Sequence, residues 1–136
     1  MTQFEFSLPS LPRGYHIITD FVKQALGDLP DVGVLHLFIK HTSAGLLINE
    51  GADPSVLNDL NVFFDKLVKE DEPYYTHIYE GSDDMPAHIK SALTNNQISL
   101  SVRNAELLLG TWQGLYLFEH RIDPQNRSII HHFIGD

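Results

Sequence analysis

The stretch VLHLFIKHTSAGLLINE, residues 34–50, decides how this chain reads. Its apolar opening has strand length and is rich in β-branched and aromatic residues, so 34–41 reads as a buried strand. Side chains alternate along a strand. Leu35, Leu37, Ile39 and His41 therefore share one face, and His36, Phe38 and Lys40 the other. Thr42, Ser43, Ala44 and Gly45 then interrupt the run, and residues 46–49 resume it as a second strand. The polar island between the strands reads either as a turn holding a boundary histidine or as part of a site. Small residues let backbone N–H groups approach an anion, and the hydroxyls add donors.

Outward from this stretch the period of the apolar residues changes several times. Phe4, Phe6 and Leu8 alternate as a half-buried strand, and 15–18 reads as a second short one. Thr19 and Asp20 open a helix whose apolar face is Phe21, Val22, Ala25 and Leu26, with Gly27 as its stop. Asp53-Pro54 opens another, because Asp caps and Pro suits the first helical position. Its stripe is Leu57, Leu60, Phe64, Leu67 and Val68. A third helix spans about 86–93, with Ser82, Asp83 and Asp84 supplying caps and favourable negative charge. Ile98, Leu100 and Val102 alternate again, and 107–109, 115–119 and 128–134 read as further strands. Asp123-Pro124-Gln125-Asn126 reads as the hairpin turn between the last two. The pattern predicts an α+β fold, mainly β with three helices inserted, in a single domain over 1–136.

Composition narrows the classes of function. With 136 residues the chain has room for one real core. A net charge of -9 argues against a general nucleic-acid binder, and no apolar run approaches the ~20 residues that cross a bilayer. No cysteine is present, so disulfides and thiolate metal sites are excluded; a transition metal would use imidazole and carboxylate. The expectation is a cytoplasmic protein with no membrane and no nucleic-acid partner.

Several residues carry potential chemistry. Asp84 and His88 stand four apart on one helix face, where a carboxylate can orient an imidazole or share a metal with it. The plainer reading is an acid at a helix start and a surface histidine one turn later. His77 lies among aromatics, which suits packing or a slot for a planar ring. Trp112, in GTWQG, reads as a core plug. Gln113, Leu115, Leu117 and Glu119 share a strand face, and a buried Glu119 requires a partner: Arg127, an imidazole, a metal or solvent. His131 and His132 are adjacent and point to opposite faces.

Taken together, HTSAGLLINEGADPSVLNDL (41–60), YEGSDDMPAHIKSAL (79–93), LGTWQGLYLFEHR (109–121), GYHIITD (14–20) and Arg127 resemble one family, the YjbQ-like proteins, often named secondary thiamine-phosphate synthases. The resemblance covers nearly the whole chain. It implies an α+β fold of packed, sandwich-like, mostly antiparallel β-sheets with about three flanking helices, assembled as a homotrimer, and a site containing His41, Thr42, Ser43, Asn49, His77, Asp84, His88, Gln113 and Glu119. It further implies a divalent metal such as zinc between His41, His77 and His88. Asp84 would orient these ligands or replace one of them. Asn95-Asn96 and Asn104 stand where the family commonly has glycine, and Asn tolerates left-handed backbone best among the others.

Three functions follow from the resemblance and the residues. The first is a transferase joining a pyrimidine methyl diphosphate to a thiazole phosphate, with Asp84, Glu119 and Gln113 as catalytic groups. Thr42, Ser43, Asn49, Trp112 and Arg127 would bind the phosphorylated substrate, and magnesium would assist diphosphate departure. The second is a histidine-metal-dependent hydrolase or lyase acting on a small phosphorylated or carbonyl compound. The third is a non-enzymatic trimeric module that binds a metabolite or metal.

Overall fold

The computed structural model describes residues 1–135. Its strands form two antiparallel sheets. The larger contains β1 (Thr2–Ser7), β8 (Ser128–Gly135), β3 (Val32–Ile39), β5 (Gln97–Arg103) and β6 (Glu106–Leu107), in that order. The smaller has β7 (Gln113–Glu119) between β2 (Gly14–Ile17) and β4 (Ala44–Glu50). Leu35, Leu37 and Ile39 of β3 and Ile129 and Phe133 of β8 face Leu46 of β4 and Leu115 and Leu117 of β7, forming the main core. Helix α1 (Thr19–Leu26) contributes Val22 to that core.

β7 is buried from Gly114 onward because it is covered on both faces. Leu115, Leu117 and Glu119 point into the sandwich. Tyr116 and Phe118 point the other way, where they meet Tyr15 and Leu57, Leu60 and Phe64 of α2 (Pro54–Leu67). A strand sandwiched on both sides reads as the near-continuous apolar run LYLF. Helix α3 (Asp84–Leu93) lies beside β4, where Ser91 Oγ donates to the Ala44 carbonyl. The approach is close: a Cβ at Gly45 would meet Thr94 Oγ1 at 2.1 Å, so only glycine fits.

Several local expectations need correction. β3 stops at Ile39, so Lys40 and His41 lie beyond the strand. Ile39 N–H donates to the Asn96 carbonyl, and the chain then turns toward β4. Of the segment 107–109 only Leu107 lies in a strand, β6, although Leu108 N–H still donates to the Ser101 carbonyl. The segment 120–127 is not a hairpin: β7 and β8 belong to different sheets, and the connection crosses from one to the other. α1 begins without a side-chain cap; Thr19 Oγ1 instead accepts from Leu115 N–H. Asp53 does cap α2, accepting from Ser55 N–H at 2.9 Å. The α2 stripe is incompletely covered, for Leu67 is exposed while Val68 is buried. Of the asparagines at glycine-like positions, Asn104 is left-handed, with φ 55°, at the β5–β6 turn.

Candidate functional site

Three chain segments converge at one end of the smaller sheet. They are the 41–43 turn after β3, the 77–88 segment ending in α3, and the start of the crossover after β7. α3 opens at Asp84, two residues before its expected start, and Asp83 makes no capping bond. Its carboxylate is occupied elsewhere: Oδ2 accepts from Arg121 Nε and from Ile122 N–H, both at 2.9 Å. The acidic run that reads as helix-capping thus joins α3 to the crossover.

Asp84 is buried and divides its oxygens between two tasks. Oδ1 accepts from Arg121 Nη1 at 2.7 Å. Oδ2 lies 2.5 Å from His77 Nε2 and 3.3 Å from His88 Nε2. His77 Nε2 is also 3.0 Å from Glu80 Oε2. His88 Nδ1 sits 2.9 Å from the Thr42 carbonyl, to which it donates, and this turns Nε2 toward the cluster. Burial alone would raise the Asp84 carboxyl. The hydrogen bonds with Glu80 and His77 and the charges of Arg121 and His88 outweigh burial and hold it below the ordinary carboxylate value.

His77, Glu80, Asp84 and His88 each offer a ligand atom, and these atoms lie within 4.8 Å of one another. Two imidazoles and two carboxylate oxygens suit a borderline divalent ion such as zinc. The backbone carbonyl on His88 and the guanidinium on Asp84 supply the outer contacts that orient such ligands.

His41 is not brought into this cluster. Its Nε2 accepts from Ser128 N–H at 2.8 Å, so the lone pair that would bind a metal is already used. Of the expected set His41, His77 and His88, the described residues bring His77 and His88 together with Glu80 and Asp84, and His41 lies outside that group. His41 lies across a cleft from His88, which continues over Ser91, Thr94 and Asn95 to Gln97 and has a volume near 740 Å³. Thr42 lines the same cleft.

Behind the cleft, Glu119 has the guanidinium partner that the sequence left as one of four options. Arg127 Nε donates to Glu119 Oε2 at 2.5 Å, and Nη2 donates to Oε1 at 2.6 Å and to Ser43 Oγ at 3.0 Å. Glu119 Oε1 also accepts from Arg121 N–H. A chain of polar contacts thus runs from Thr42 through His88, Asp84 and Arg121 to Glu119, Arg127 and Ser43.

Asn49, Trp112 and Gln113 are not assembled with these groups. Asn49 pairs opposite Gly114 at the other end of the sheet. From Gln113 to Glu119 is six strand steps, about 20 Å. Gln113 accepts from Gly110 N–H within its own turn, and Trp112 is exposed rather than plugging the core. The candidate residues therefore fall into two groups at opposite ends of β7. Neither Glu80 nor Arg121 was among the expected site residues. Glu80 was marked by the spacing 77, 80, 84, 88; Arg121 had no local signal, since only the crossover brings it to Asp84.

The chain and its fold match a known family. The model of the UPF0047 protein YjbQ-like family covers residues 4–136. The chain belongs to that family. It is 48% identical over 130 residues to the UPF0047 protein YjbQ of Salmonella typhimurium, covering 94% of each chain. It is also 52% identical over 104 residues to a UPF0047 protein of Synechocystis, covering 76% of this chain and 71% of that one. The crystal structure of a conserved hypothetical protein from Thermus thermophilus superposes with a TM-score of 0.84 at 33% identity, covering 96% of this chain and 99% of that one. The family resemblance read from the sequence is thereby shown. As the names of these relatives state no reaction, YjbQ-like membership fixes the fold and leaves the chemistry to the site.

Proposed function

We propose that this YjbQ-like chain is a divalent-metal-dependent enzyme acting on a small phosphorylated or carbonyl compound, as a hydrolase or lyase. The observation that carries the reading is the convergence of His77, Glu80, Asp84 and His88 ligand atoms within 4.8 Å. His77 and His88 would hold the ion through Nε2 together with Asp84 Oδ2, which would leave a fourth position for water, with Glu80 beside it. A divalent ion there supplies Lewis acidity and lowers the pKa of water toward ~7. Arg121 holds Asp84 ionised and aimed at the ligands. Glu80, half of whose surface or more is open to solvent, is the carboxylate free to accept a proton.

The finer reading, thiamine-phosphate synthase activity, rests on the resemblance and ranks second. Diphosphate departure favours magnesium on oxygen ligands, whereas two of the four groups here are imidazoles. A homotrimer is also proposed; the exposed apolar side chains Val62, Phe63 and Leu67 of α2 support burial against another copy.

Metal analysis and zinc titration of wild type and His88→Ala test the first reading. Saturable binding near one ion per chain, lost in the variant, is expected; no binding by wild type sinks it. Incubation with the two phosphorylated thiamine precursors and magnesium tests the second, which fails if no thiamine phosphate forms above background. Sedimentation equilibrium tests the trimer.

A further inference from the structure

His41 and Arg127 are left over from the metal centre; each has a side-chain nitrogen without a hydrogen-bond partner, and both line one pocket. Ser128 N–H donates to His41 Nε2, so a neutral His41 must carry its proton on Nδ1. Burial first, and then the Arg127 charge, push the His41 pKa down, which keeps the imidazole neutral near pH 7. Arg127 is 3% exposed, and its four hydrogen bonds use only Nε and Nη2. Nη1 is left for a ligand. Both residues line a pocket with Lys40, Thr42, Ser43 and Asn96, of about 440 Å³. This pocket shares His41 and Thr42 with the cleft that His88 lines.

We propose that His41 and Arg127 form an oxyanion subsite beside the metal centre, in which His41 Nδ1–H and Arg127 Nη1 together hold a carboxylate or phosphoryl oxygen of the substrate. The proposal deepens the metal-enzyme reading by naming the substrate class, a small molecule carrying an oxyanion at one end and its reacting group toward His88. It rests on that reading for the reaction, but not for the binding.

The electrostatics set the kind of recognition. Glu119 offsets the Arg127 charge, and Glu5 pairs with Lys40 at 3.2 Å. The subsite therefore selects by fixed donors rather than by net charge. Fixed donors in a buried setting favour an oxygen of set position, as in sites that stabilise developing oxyanions. His41 accordingly serves as a donor whose tautomer the backbone dictates, and metal binding through Nδ1 would require a proton on Nε2 facing the Ser128 N–H.

The test uses the whole chain, freed of metal with a chelator and labelled with 15N at histidine and arginine. Inorganic phosphate and acetate are titrated separately, and the imidazole and guanidinium resonances are followed. The His41 signal is assigned by its loss in His41→Phe, and the Arg127 signal by its loss in Arg127→Lys. The expected result is a neutral Nδ1–H tautomer for His41 at pH 7 and saturable shifts of His41 and Arg127 with at least one anion. His41→Phe is expected to weaken that binding at least tenfold. Arg127→Lys keeps a cation beside Glu119 and so guards against loss of the fold; it is expected to weaken binding similarly. The anion that gives the tighter binding distinguishes a phosphoryl from a carboxylate substrate. An Nε2–H tautomer, a His41 charged at pH 7, or anion shifts confined to other residues would each overturn the subsite. Zinc titration of the same samples separates the two readings. Anion binding without zinc binding removes the metal reading alone, and zinc binding without anion shifts at His41 removes the subsite alone.

Discussion

Two acid–base clusters lie at the same end of the smaller sheet, and they differ in one respect. Glu119 and Arg127 are both almost fully buried, and they satisfy each other through two short bonds. His77, Glu80, Asp84 and His88 are partly open, and their ligand atoms point at a common centre. A buried pair whose members bond each other serves the fold first, and here only Arg127 Nη1 is left over. A half-open set whose atoms converge has capacity to spare, and that capacity marks a site.

The largest expected effect breaks the first cluster. Glu119→Ala leaves Arg127 buried without its counter-charge and should cost about 3–5 kcal/mol, read as a lower urea midpoint. A loss under about 1 kcal/mol would show that water replaces the carboxylate, and the distinction between the clusters would weaken.

The second effect concerns His120, which follows Glu119 and has both ring nitrogens buried without a partner. Burial foremost, with the Lys90 and Arg127 charges, lowers its pKa from 6.5 to about 3. Between those values the unfolded chain binds more protons than the folded one. Stability should therefore fall as pH drops below about 6.5, by up to about 1.4 kcal/mol per pH unit. His131, also lowered chiefly by burial, acts in the same direction. Urea unfolding of wild type and His120→Phe at pH 7 and pH 5 isolates the His120 share; equal slopes in the two proteins would refute it.

Smaller changes sharpen the second cluster. Zinc at a hundredfold excess over its Kd should stabilise wild type by about 2.7 kcal/mol, seen as a raised Tm. His88→Ala should abolish that rise while changing the metal-free Tm little. Trp112→Ala, at the far end of β7, should alter stability by no more than about 0.5 kcal/mol and leave the zinc response intact. Loss of the response in that variant would join the two ends of β7 into one site.

The sequence disclosed what periodicity and local spacing encode. β3, β4, β5 and β7 follow from apolar alternation or short apolar runs, and α2 from Asp53-Pro54. The face shared by Leu115, Leu117 and Glu119 follows from the strand period, and the Asp84–His88 pairing from the helical one. Contacts made at long range were hidden. Ser128 N–H reaches His41 across 87 positions, and nothing near His41 signals that its Nε2 is occupied. Arg121 meets Asp83 and Asp84 only because the 120–127 segment changes sheets, where Asp123-Pro124 suggests a hairpin. Asn49, Trp112 and Gln113 joined the candidate set through the family motifs, which carry no information about their distance from His88.

The strand order has a kinetic consequence. β5 and β6 are the only sequence-adjacent strands that pair among the described residues; every other pairing skips at least one strand. β1 pairs with β8, matching Thr2 to Phe133. Such remote pairings each require loop closure before any contact rewards it, which places the chain among slow folders, on the millisecond-to-second scale. The four donor residues span only positions 77–88 and can meet early. Their alignment by Thr42 and Arg121 must await the assembled sheets, so a metal added during refolding should meet its ligands before it meets its site.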